Sequence, residues 1–534
     1  MTFETENRFI KIAIIFSFIS LALGGLFGLI QLLARTPYVL NIDPHIYYMV
    51  LTGHGVLMAI VWTAFFIMGI AVFVTTRVLN VNLNKPLLNL ALILSLLGTV
   101  LVAIAILSGQ ANVLYTFYPP LKAHALFYLG ATILVIGTWI FATVIFLAFF
   151  KWRKEHRKEA IPLPMYGVIA TLIVWLEATP GLAVEVLKDL IPMSLLGSSV
   201  DVLEARTYFW YFGHPLVYFW LIPAVTLWYF AIPRILNTEL FSETMAKVVF
   251  VLFIITSTPV GVHHQLVDTG IDPSYKYLHT VLTYTVAMVS LLTAFNIIAT
   301  MEKSYREKGG KSMFGWITSL PWKNPAFASL GFAFIIFGLG GIGGIINTSY
   351  TMNYVVHNTV WIVGHFHAMV ATAVTLTFMG ATYILSPFIF GRNIFSNKMA
   401  LLQPYLWFIG MLIFSISYHI AGISGMPRRV SSILSYPIVP QEWITLSQIA
   451  MIGGIILVLS GILFISNIGL TLIKGPIVSM NGASLNLNSK TDPTLLDNLK
   501  IWIIVAVILI VIAYALPFSE IYSRGLSPVP PRLP

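Results

Sequence analysis

The sequence predicts an all-α integral membrane protein with about thirteen transmembrane helices. Of the 534 residues, 58% are hydrophobic and only 9% are charged, whereas an ordinary soluble domain carries about 25% charged residues. Apolar segments recur from Phe9 to Leu516, and each reaches or approaches the roughly 20 residues that a helix needs to cross the hydrocarbon core. These observations predict a single transmembrane domain over residues 1–534, with no soluble domain between the spans.

The hydropathy pattern divides the chain into thirteen spans. The first span is too long for a signal peptide and lacks a small-residue cleavage site, so we interpret it as a retained helix. Residues 474–498 predict a polar cytoplasmic loop, and residues 524–534 predict an extended tail. The predicted spans cover residues 9–33, 49–75, 87–107, 125–150, 164–187, 207–232, 246–262, 276–300, 326–346, 359–385, 402–421, 445–471 and 499–516.

Charge and cysteine usage narrow the possible functions further. With a cytoplasmic N-terminus and an outside C-terminus, most of the 30 lysines and arginines face the inside, including those of the loop KWRKEHRKEA. The positive-inside rule therefore predicts this orientation, which explains the net charge of +10 without nucleic-acid binding. The chain has no cysteine, so disulfides and thiolate metal sites within it are excluded. Any metal must be held chiefly by histidine.

Histidines within the spans, or at their outer ends, fall in one layer at roughly the outer third of the bilayer. Ionisable residues inside a membrane are costly and usually mark function, and neutral imidazole is the commonest metal ligand near neutral pH. Four different spans contribute to this layer, which predicts that the side chains meet. The residues are His54, His214, His263, His264, His365 and His367.

Helix geometry sorts these histidines into sites. Residues two positions apart on an α-helix point about 200° apart, so His365 and His367 are predicted to ligate two different centres on opposite sides of one span. His214 and Tyr218 are four residues apart and share a face. The adjacent pair His263 and His264 is predicted to end the seventh span, where both rings can turn toward one ion. Together with His214 this pair makes a plausible three-histidine copper site.

At these residues the chain resembles the catalytic subunit I of the haem–copper oxygen reductases, the terminal oxidases of aerobic respiration. The resemblance covers nearly the whole chain, and its motifs are specific only in combination. The matching stretches are LTGHGVLMAIVW, LYTFYPPLKAH, FWYFGHPLVYFWLIPA, STPVGVHHQLVDTGIDP, YVVHNTVWIVGHFHAMVA and GMPRRV.

The resemblance implies two haems and a copper ion, copper B. It makes His54 and His367 the axial ligands of a low-spin haem and His365 the proximal ligand of a high-spin haem. The copper B ligands would be the histidines at 214, 263 and 264. Tyr218 matches the tyrosine that the family joins covalently to the first copper histidine, and that supplies an electron and a proton when the O–O bond breaks.

The same resemblance assigns residues to haem propionates. Arg428 and Arg429 match the pair that faces the propionates, and guanidinium groups suit carboxylates because they stay charged and donate in a fixed fork. His357 matches a histidine near the propionates of the high-spin haem. Many relatives carry an acidic residue beside that histidine, whereas this chain has Asn353 and Asn358, which speaks against a carboxylate metal site there.

Proton uptake is expected to use a single route. The motif HPLVY has Leu216 where many relatives carry a glutamate for a second route, and the loop RVLNVNLNKP has no aspartate. Tyr229, Ser290 and Thr293 match the single route of the B class of this family. A further tyrosine expected seven residues after Tyr218 is replaced by Val225.

The implied function is the four-electron reduction of oxygen to water, coupled to proton uptake and pumping across the cell membrane. The implied partner is a second subunit with a cupredoxin-like outer domain. If that domain holds dinuclear copper, cytochrome c or a blue copper protein is the donor; if it holds none, the donor is a quinol. Two alternatives stay open: a nitric oxide reductase of the same superfamily, and, from a different class, a multispan transporter.

Overall fold

The part of the chain that the structure describes folds into a bundle of thirteen principal helices. The computed structural model describes residues 3–478 and 492–523. The predicted tail at 524–534 and part of the predicted loop at 474–498 lie outside the described residues. The principal helices are α1 (Glu4–Arg35), α2 (Pro44–Leu79), α3 (Lys85–Leu107), α4 (Ala125–Glu155), α5 (Leu163–Leu196), α6 (Val202–Leu236), α7 (Glu243–Thr256), α8 (Pro273–Glu307), α9 (Pro325–Thr348), α10 (Trp361–Phe390), α11 (Asn397–Ile423), α12 (Gln441–Lys474) and α13 (Leu499–Ser523).

The predicted all-α membrane fold is confirmed. Over the described part of the chain, twelve helices are long and apolar enough to cross a membrane. The remaining predicted span, the seventh along the chain, corresponds to the shorter helix α7. Most helices extend a few residues beyond the apolar stretches that predicted them, because helical hydrogen bonding continues into polar ends such as Lys151–Glu155 of α4. The protein is therefore a multi-pass membrane protein.

The seventh span differs from its prediction. Helix α7 ends at Thr256, and a separate 3₁₀ turn, Gly261–Gln265, carries the two adjacent histidines. Pro259 lies between the two elements, and proline has no backbone N–H to continue a helix. The prediction that His263 and His264 end the helix is wrong in this respect, because they sit on their own turn beyond the break.

Polar side chains define where most of the helices begin. In each case the residue before the helix accepts a hydrogen bond from a backbone N–H of the first turn, which would otherwise have no partner. These capping residues are Asp43, Asn84, His124, Asp201, Ser242, Asp272, Asn324 and Ser396.

Close helix pairs form at glycines. An added Cβ at Gly98 of α3 would lie 2.4 Å from the backbone nitrogen of Leu134 in α4. A Cβ at Gly410 of α11 would lie 2.8 Å from the carbonyl oxygen of Gly453 in α12. Small residues allow backbones to approach this closely in membrane bundles, so these pairs form packed walls around the centre.

Three helices lie at the centre of the bundle. In their most apolar windows, 83% of α2, 89% of α6 and 83% of α10 is buried, compared with 22% for α13 and 28% for α12. The central helices carry four of the histidines singled out above. The fold therefore places the histidine layer inside the protein and leaves the outer helices to face lipid or partner chains.

Candidate metal centres

His54 and His367 face each other across the gap between α2 and α10. Their ring centroids are 6.1 Å apart and their planes differ by only 9°. A bond from an imidazole nitrogen to a metal is about 2.0–2.1 Å long, so this separation leaves space for one ion bonded to both rings. The arrangement is compatible with the predicted pairing of these two histidines at one ion.

Hydrogen bonds to the backbone orient both rings. The Nδ1 atom of His54 lies 2.8 Å from the carbonyl oxygen of Gly24, and Nδ1 of His367 lies 2.9 Å from that of Val363. When Nδ1–H donates to a carbonyl, the lone pair of Nε2 is left for a metal. Both rings are therefore held in the tautomer that a metal ligand needs.

A cavity of about 480 Å³ surrounds this pair. Its walls are mainly apolar, and Arg428 and Arg429 also line it. A planar, largely apolar cofactor with carboxylate groups on one edge matches such walls. The residues present thus fit a haem between His54 and His367.

His365 points away from this cavity. Its ring contacts α9, where a Cβ added at Gly343 would lie only 2.5 Å from its Nδ1 atom. His367 instead contacts Phe414 of α11, with ring centroids 5.0 Å apart. The structure therefore places the two histidines on opposite sides of α10, as the spacing predicts.

His214, His263 and His264 form a compact cluster. One ligand atom from each ring lies within 4.8 Å of the others, which allows all three to bind one ion. Within residues 3–478 and 492–523, no other group of three or more His, Asp or Glu residues has its ligand atoms this close together. Nδ1 of His214 is 3.1 Å from Nε2 of His264, a contact that suits two ligands sharing an ion.

Neighbouring side chains hold the cluster in place. Nδ1 of His263 lies 2.6 Å from the carbonyl oxygen of Val260 and 2.9 Å from Oγ1 of Thr283. The ring of Trp210 stacks on His264, with centroids 3.9 Å apart and planes 7° apart. These contacts fix the ring orientations in advance, as the outer contacts of metal ligands do. Sequence reasoning missed both Trp210 and Thr283.

The His214 ring is shared between the cluster and Tyr218. Its Nδ1 faces His264, whereas its Nε2 lies 3.2 Å from the hydroxyl of Tyr218. The two residues are one turn apart on α6, which is why the same helix face presents them together. One nitrogen can therefore bind an ion while the other lies beside the phenol.

Arg428 and Arg429 follow α11 and pair with the start of α10. The backbone of Arg428 donates to the carbonyl oxygen of Asn358, and Nη2 of Arg428 lies 3.1 Å from Oδ1 of the same residue. Nη1 of Arg429 lies 3.3 Å from the hydroxyl of Tyr118. Arg429 also has a positive φ of 62°, a strained conformation for a residue with a Cβ.

Several donors of the arginine pair have no protein partner. Nε of Arg428 and Nη2 of Arg429 are buried and make no hydrogen bond within the described residues. Buried charged donors of this kind need an acceptor. Carboxylates of a bound cofactor would supply it, so the arginines fit the propionates that the resemblance implies.

Positive charge shapes the surroundings of this pair. Burial and the neighbouring Arg428 lower the pKa of His357 to about 4, so this ring is neutral at pH 7. Burial and Arg429 lower the pKa of Arg428 to about 10, which leaves it charged. Nδ1 of His357 is 3.1 Å from Oδ1 of Asn353, so an amide rather than a carboxylate faces this ring. Because Arg428 is charged and no carboxylate among the described residues balances it here, this region is suited to bind an anion.

The residues predicted for proton uptake are only partly brought together. The buried hydroxyl of Tyr229 faces Thr293 and Asn296 on α8, whereas Ser290 lies about one turn away on that helix and is partly buried. Thr293 donates to the carbonyl oxygen of Val289 at 3.1 Å, the back-bond common for such hydroxyls. Sequence reasoning missed Asn296, although it lies three residues beyond Thr293 on the same face.

Comparison with known proteins agrees with this geometry. Residues 8–456 match the family model described as cytochrome c and quinol oxidase polypeptide I. The chain is 38% identical to a cytochrome c oxidase subunit 1 of Thermus thermophilus, over 97% of this chain and 95% of that protein. It is 27% identical to a cytochrome c oxidase subunit 1 of Bacillus subtilis, over 70% of this chain and 58% of that protein.

A solved structure is similar throughout. It is a cryo-electron microscopy structure of a heme-copper terminal oxidase dimer, with a TM-score of 0.90 and 33% sequence identity. The match covers 99% of this chain and 95% of that one. These similarities favour the oxidase over the alternatives of a nitric oxide reductase or a multispan transporter.

Proposed function

The chain belongs to the family of cytochrome c and quinol oxidase polypeptide I and is the catalytic subunit of a terminal oxidase. On this premise we propose a role for each of the site residues. His54 and His367 hold the low-spin haem, and His365 holds the high-spin haem on the other side of α10. The parallel rings 6.1 Å apart and the opposite direction of His365 support this division.

His214, His263 and His264 are proposed to hold copper B. The observation that carries this proposal is the shared His214 ring, whose Nδ1 faces the other histidines while its Nε2 faces Tyr218. When bound, the high-spin haem and the copper supply the site at which oxygen is reduced to water. Trp210 and Thr283 keep the histidine rings in a fixed geometry, so little reorganisation is needed for binding.

Tyr218 is proposed as the catalytic proton and electron donor at this site. Its hydroxyl is buried beside His214 in an apolar part of α6. Tyr229, Thr293 and Ser290 are proposed to pass protons toward it from the end of the bundle that carries the basic loops. Leu216 carries no proton, which is consistent with this being the single route. Val225 replaces a tyrosine that the B class has along this same route.

Arg428, Arg429 and His357 are proposed to hold the haem propionates. Two unpaired donors of the arginines support this role, and within the described residues neither arginine has an ion pair with a carboxylate. A bound propionate would accept from these donors and so balance the charge of the pair. The positive charge of the two arginines would also hold the propionate-bearing edge of the haem at this end of the cavity.

The remaining proposals concern the setting. The positive-inside pattern supports an N-terminus in the cytoplasm and a C-terminus outside. The resemblance to the B class supports the cell membrane as the location. Because the chain has no cysteine, electrons must come through a partner, proposed to be a second subunit with a cupredoxin-like outer domain. The donor is then cytochrome c, a blue copper protein or a quinol, according to whether that domain holds copper.

The test is gas consumption by the purified complex, measured with oxygen and nitric oxide electrodes on a sample of known copper and iron content. We expect rapid oxygen consumption and copper in the sample. Nitric oxide consumption without oxygen consumption, with non-haem iron in place of copper, would contradict the proposal. A His264→Asn variant should retain both haems and lose copper, which separates the copper site from the haem sites.

A further inference from the structure

Helix α5 carries a stripe of acidic residues that the oxidase reaction described above does not use. Glu177, Glu185 and Asp189 lie on it at intervals of eight and four residues, and Gly181 occupies the position midway between the two glutamates. Each step of four residues advances about 40° around an ideal α-helix, so the three acids follow a slanted row along α5. Ionisable residues inside a membrane helix are rare and mark proton or ion pathways.

The carboxyl groups are buried with few partners. Glu185 is fully buried, and neither of its oxygens makes a hydrogen bond within the described residues. Oδ2 of Asp189 and Oε1 of Glu177 are likewise buried and unbonded there. An ionised carboxylate in such surroundings is very costly. The neutral acid, which can donate a proton and regain one, is therefore the favoured resting form.

One end of the stripe touches the segment that carries copper ligands. Oγ1 of Thr258 donates to Oε2 of Glu177 at 3.2 Å, and Thr258 lies just before the turn that holds His263 and His264. Tyr514 of α13 binds the same segment, through the carbonyl oxygen of Thr258 at 3.2 Å. Glu177 therefore contacts the segment that leads into the histidine turn, through Thr258.

The gap between the two glutamates is filled by a tyrosine. Eight residues of helix span about 12 Å, too far for direct proton transfer. The ring of Tyr211 packs where Gly181 has no side chain, since an added Cβ there would lie 2.4 Å from Cδ1 of Tyr211. The Tyr211 ring can pack between the two glutamates because Gly181 has no side chain.

The other end of the stripe reaches the surface of the bundle. Residues Glu185–Leu190 form a wide π-helical turn, a feature frequent at functional sites. Asp189 lies close enough to Lys188 and Glu204 for both charges to act on it. Lys188 and Glu204 form an ion pair, in which the lysine side chain is 41% exposed and the glutamate is 2% exposed. Protons arriving at Asp189 thus reach solvent through a charged pair.

We propose that Glu177, Glu185 and Asp189, with Tyr211 between the two glutamates, form a proton-release route from the copper-ligand segment to the outer surface. The inference rests on the proposed function and on the proposed orientation. Each acid accepts a proton on one oxygen and releases the proton held on the other, so the route returns to its starting state after each transfer. No electron and no heavy atom moves in this step.

The test is proton release from vesicles that contain the reconstituted complex. During oxygen reduction a pH-sensitive dye on the side of the histidine layer should report acidification for the unsubstituted protein. We expect that signal to be lost in Glu185→Gln, while oxygen consumption with an uncoupler continues. Glu442→Gln is the matched control, because Glu442 is an exposed glutamate at the same end of the bundle, and it should leave proton release unchanged.

Two further measurements keep the inference falsifiable. Infrared difference spectra should show the carbonyl band of a protonated carboxylic acid that vanishes in Glu185→Gln, and Glu185→Asp should restore proton release. Unchanged release in Glu185→Gln and Asp189→Asn would overturn the route. Oxygen consumption without any outer acidification by the unsubstituted protein would also overturn it and leave the oxidase intact, whereas no oxygen consumption at all would contradict the proposed function itself.

Discussion

At the scale of single residues, glycines limit where the proposed haem-ligand histidines can lie. A Cβ added at Gly28 of α1 would be 2.9 Å from Nδ1 and Cε1 of His54, closer than side chains normally approach. Gly25, on the same helix, has no atom within 4 Å of its added Cβ. The first position is thus sensitive to a methyl group and the second is not.

We predict that Gly28→Ala displaces the His54 ring and disturbs the low-spin haem. The reduced-minus-oxidised spectrum should lose or shift the low-spin band, and Gly25→Ala should keep it. The ring cannot move away freely, because its hydrogen bond to Gly24 belongs to the same segment of α1. Identical spectra for the two variants would contradict this account of the His54 site.

The same argument applies to the other haem. A Cβ at Gly343 would lie 2.5 Å from Nδ1 of His365, whereas Gly341 has nothing within 4 Å. We predict that Gly343→Ala reduces binding of carbon monoxide to the high-spin haem and leaves the low-spin band in place. Gly341→Ala serves as the control. If Gly343→Ala altered only the low-spin band, the assignment of His365 would be wrong.

Tyr218 offers a test of chemistry rather than binding. We predict that Tyr218→Phe keeps both haems and the copper but lowers the rate of oxygen consumption by about 10²-fold or more, as loss of a positioned proton donor does. The control is Tyr405→Phe, which removes a hydroxyl that donates to the carbonyl oxygen of Trp322, away from the metal centres. A rate for Tyr218→Phe within a few-fold of the unsubstituted protein would exclude the proposed role.

The sequence predicted most of what a single helix can encode at this scale. The opposite directions of His365 and His367 and the shared face of His214 and Tyr218 follow from helical periodicity alone. The roles of Gly28 and Gly343 could not be predicted, because each depends on a ring that approaches from a different helix. Asn296 was missed because nothing local distinguishes it from other polar residues of α8.

At the scale of elements, the segment before α13 is tied to the bundle by a buried ion pair. Nζ of Lys247 lies 3.2 Å from Oδ1 of Asp497, with side chains only 6% and 1% exposed. The backbone nitrogen of Ile161 also donates to Asp497, at 2.8 Å. One carboxylate therefore joins α7, the start of α5 and the approach to α13.

We predict that Lys247→Met destabilises the protein by about 3 kcal/mol, since removing one partner leaves a buried charge uncompensated. The measurement is thermal unfolding in detergent, followed by circular dichroism. Lys303→Met is the control, because Lys303 forms only longer, more exposed pairs that are worth less than about 1 kcal/mol. Equal stability of the two variants would contradict the anchoring role.

The elements were predicted by type more reliably than by their ends. The thirteen apolar segments all became helices because a backbone in lipid must satisfy its own hydrogen bonds. The turn at Gly261–Gln265 and the π-helical turns at Val56–Val61 and His367–Val374 were not predicted. Hydropathy is insensitive to them, since they change the winding of the chain without changing how apolar it is.

At the scale of the whole molecule, orientation in the membrane can be tested directly, because the chain has no cysteine of its own. Lys158 lies in the basic loop after α4, and Ile438 is 83% exposed in the segment after α11. We predict that a membrane-impermeant maleimide labels Ile438→Cys in intact cells and labels Lys158→Cys only after the cells are opened. The reverse pattern would contradict the proposed topology.

The overall architecture was predictable because composition and helix length limit the choices so strongly. The positions of the histidines indicated which helices lie at the centre of the bundle, since buried polar ligands must face the protein interior. The pairing of α3 with α4 and of α11 with α12 was not foreseen. It depends on glycines that matter only once the facing helix is known.

The central claim is that one helix separates two haems while three histidines hold copper beside one of them. It is tested most directly by the carbon monoxide difference spectrum of the purified complex, recorded on a sample of known haem and copper content. We predict two haems per chain, one of which binds carbon monoxide, and at least one copper. Absence of haem, or two haems that both bind carbon monoxide, would contradict it.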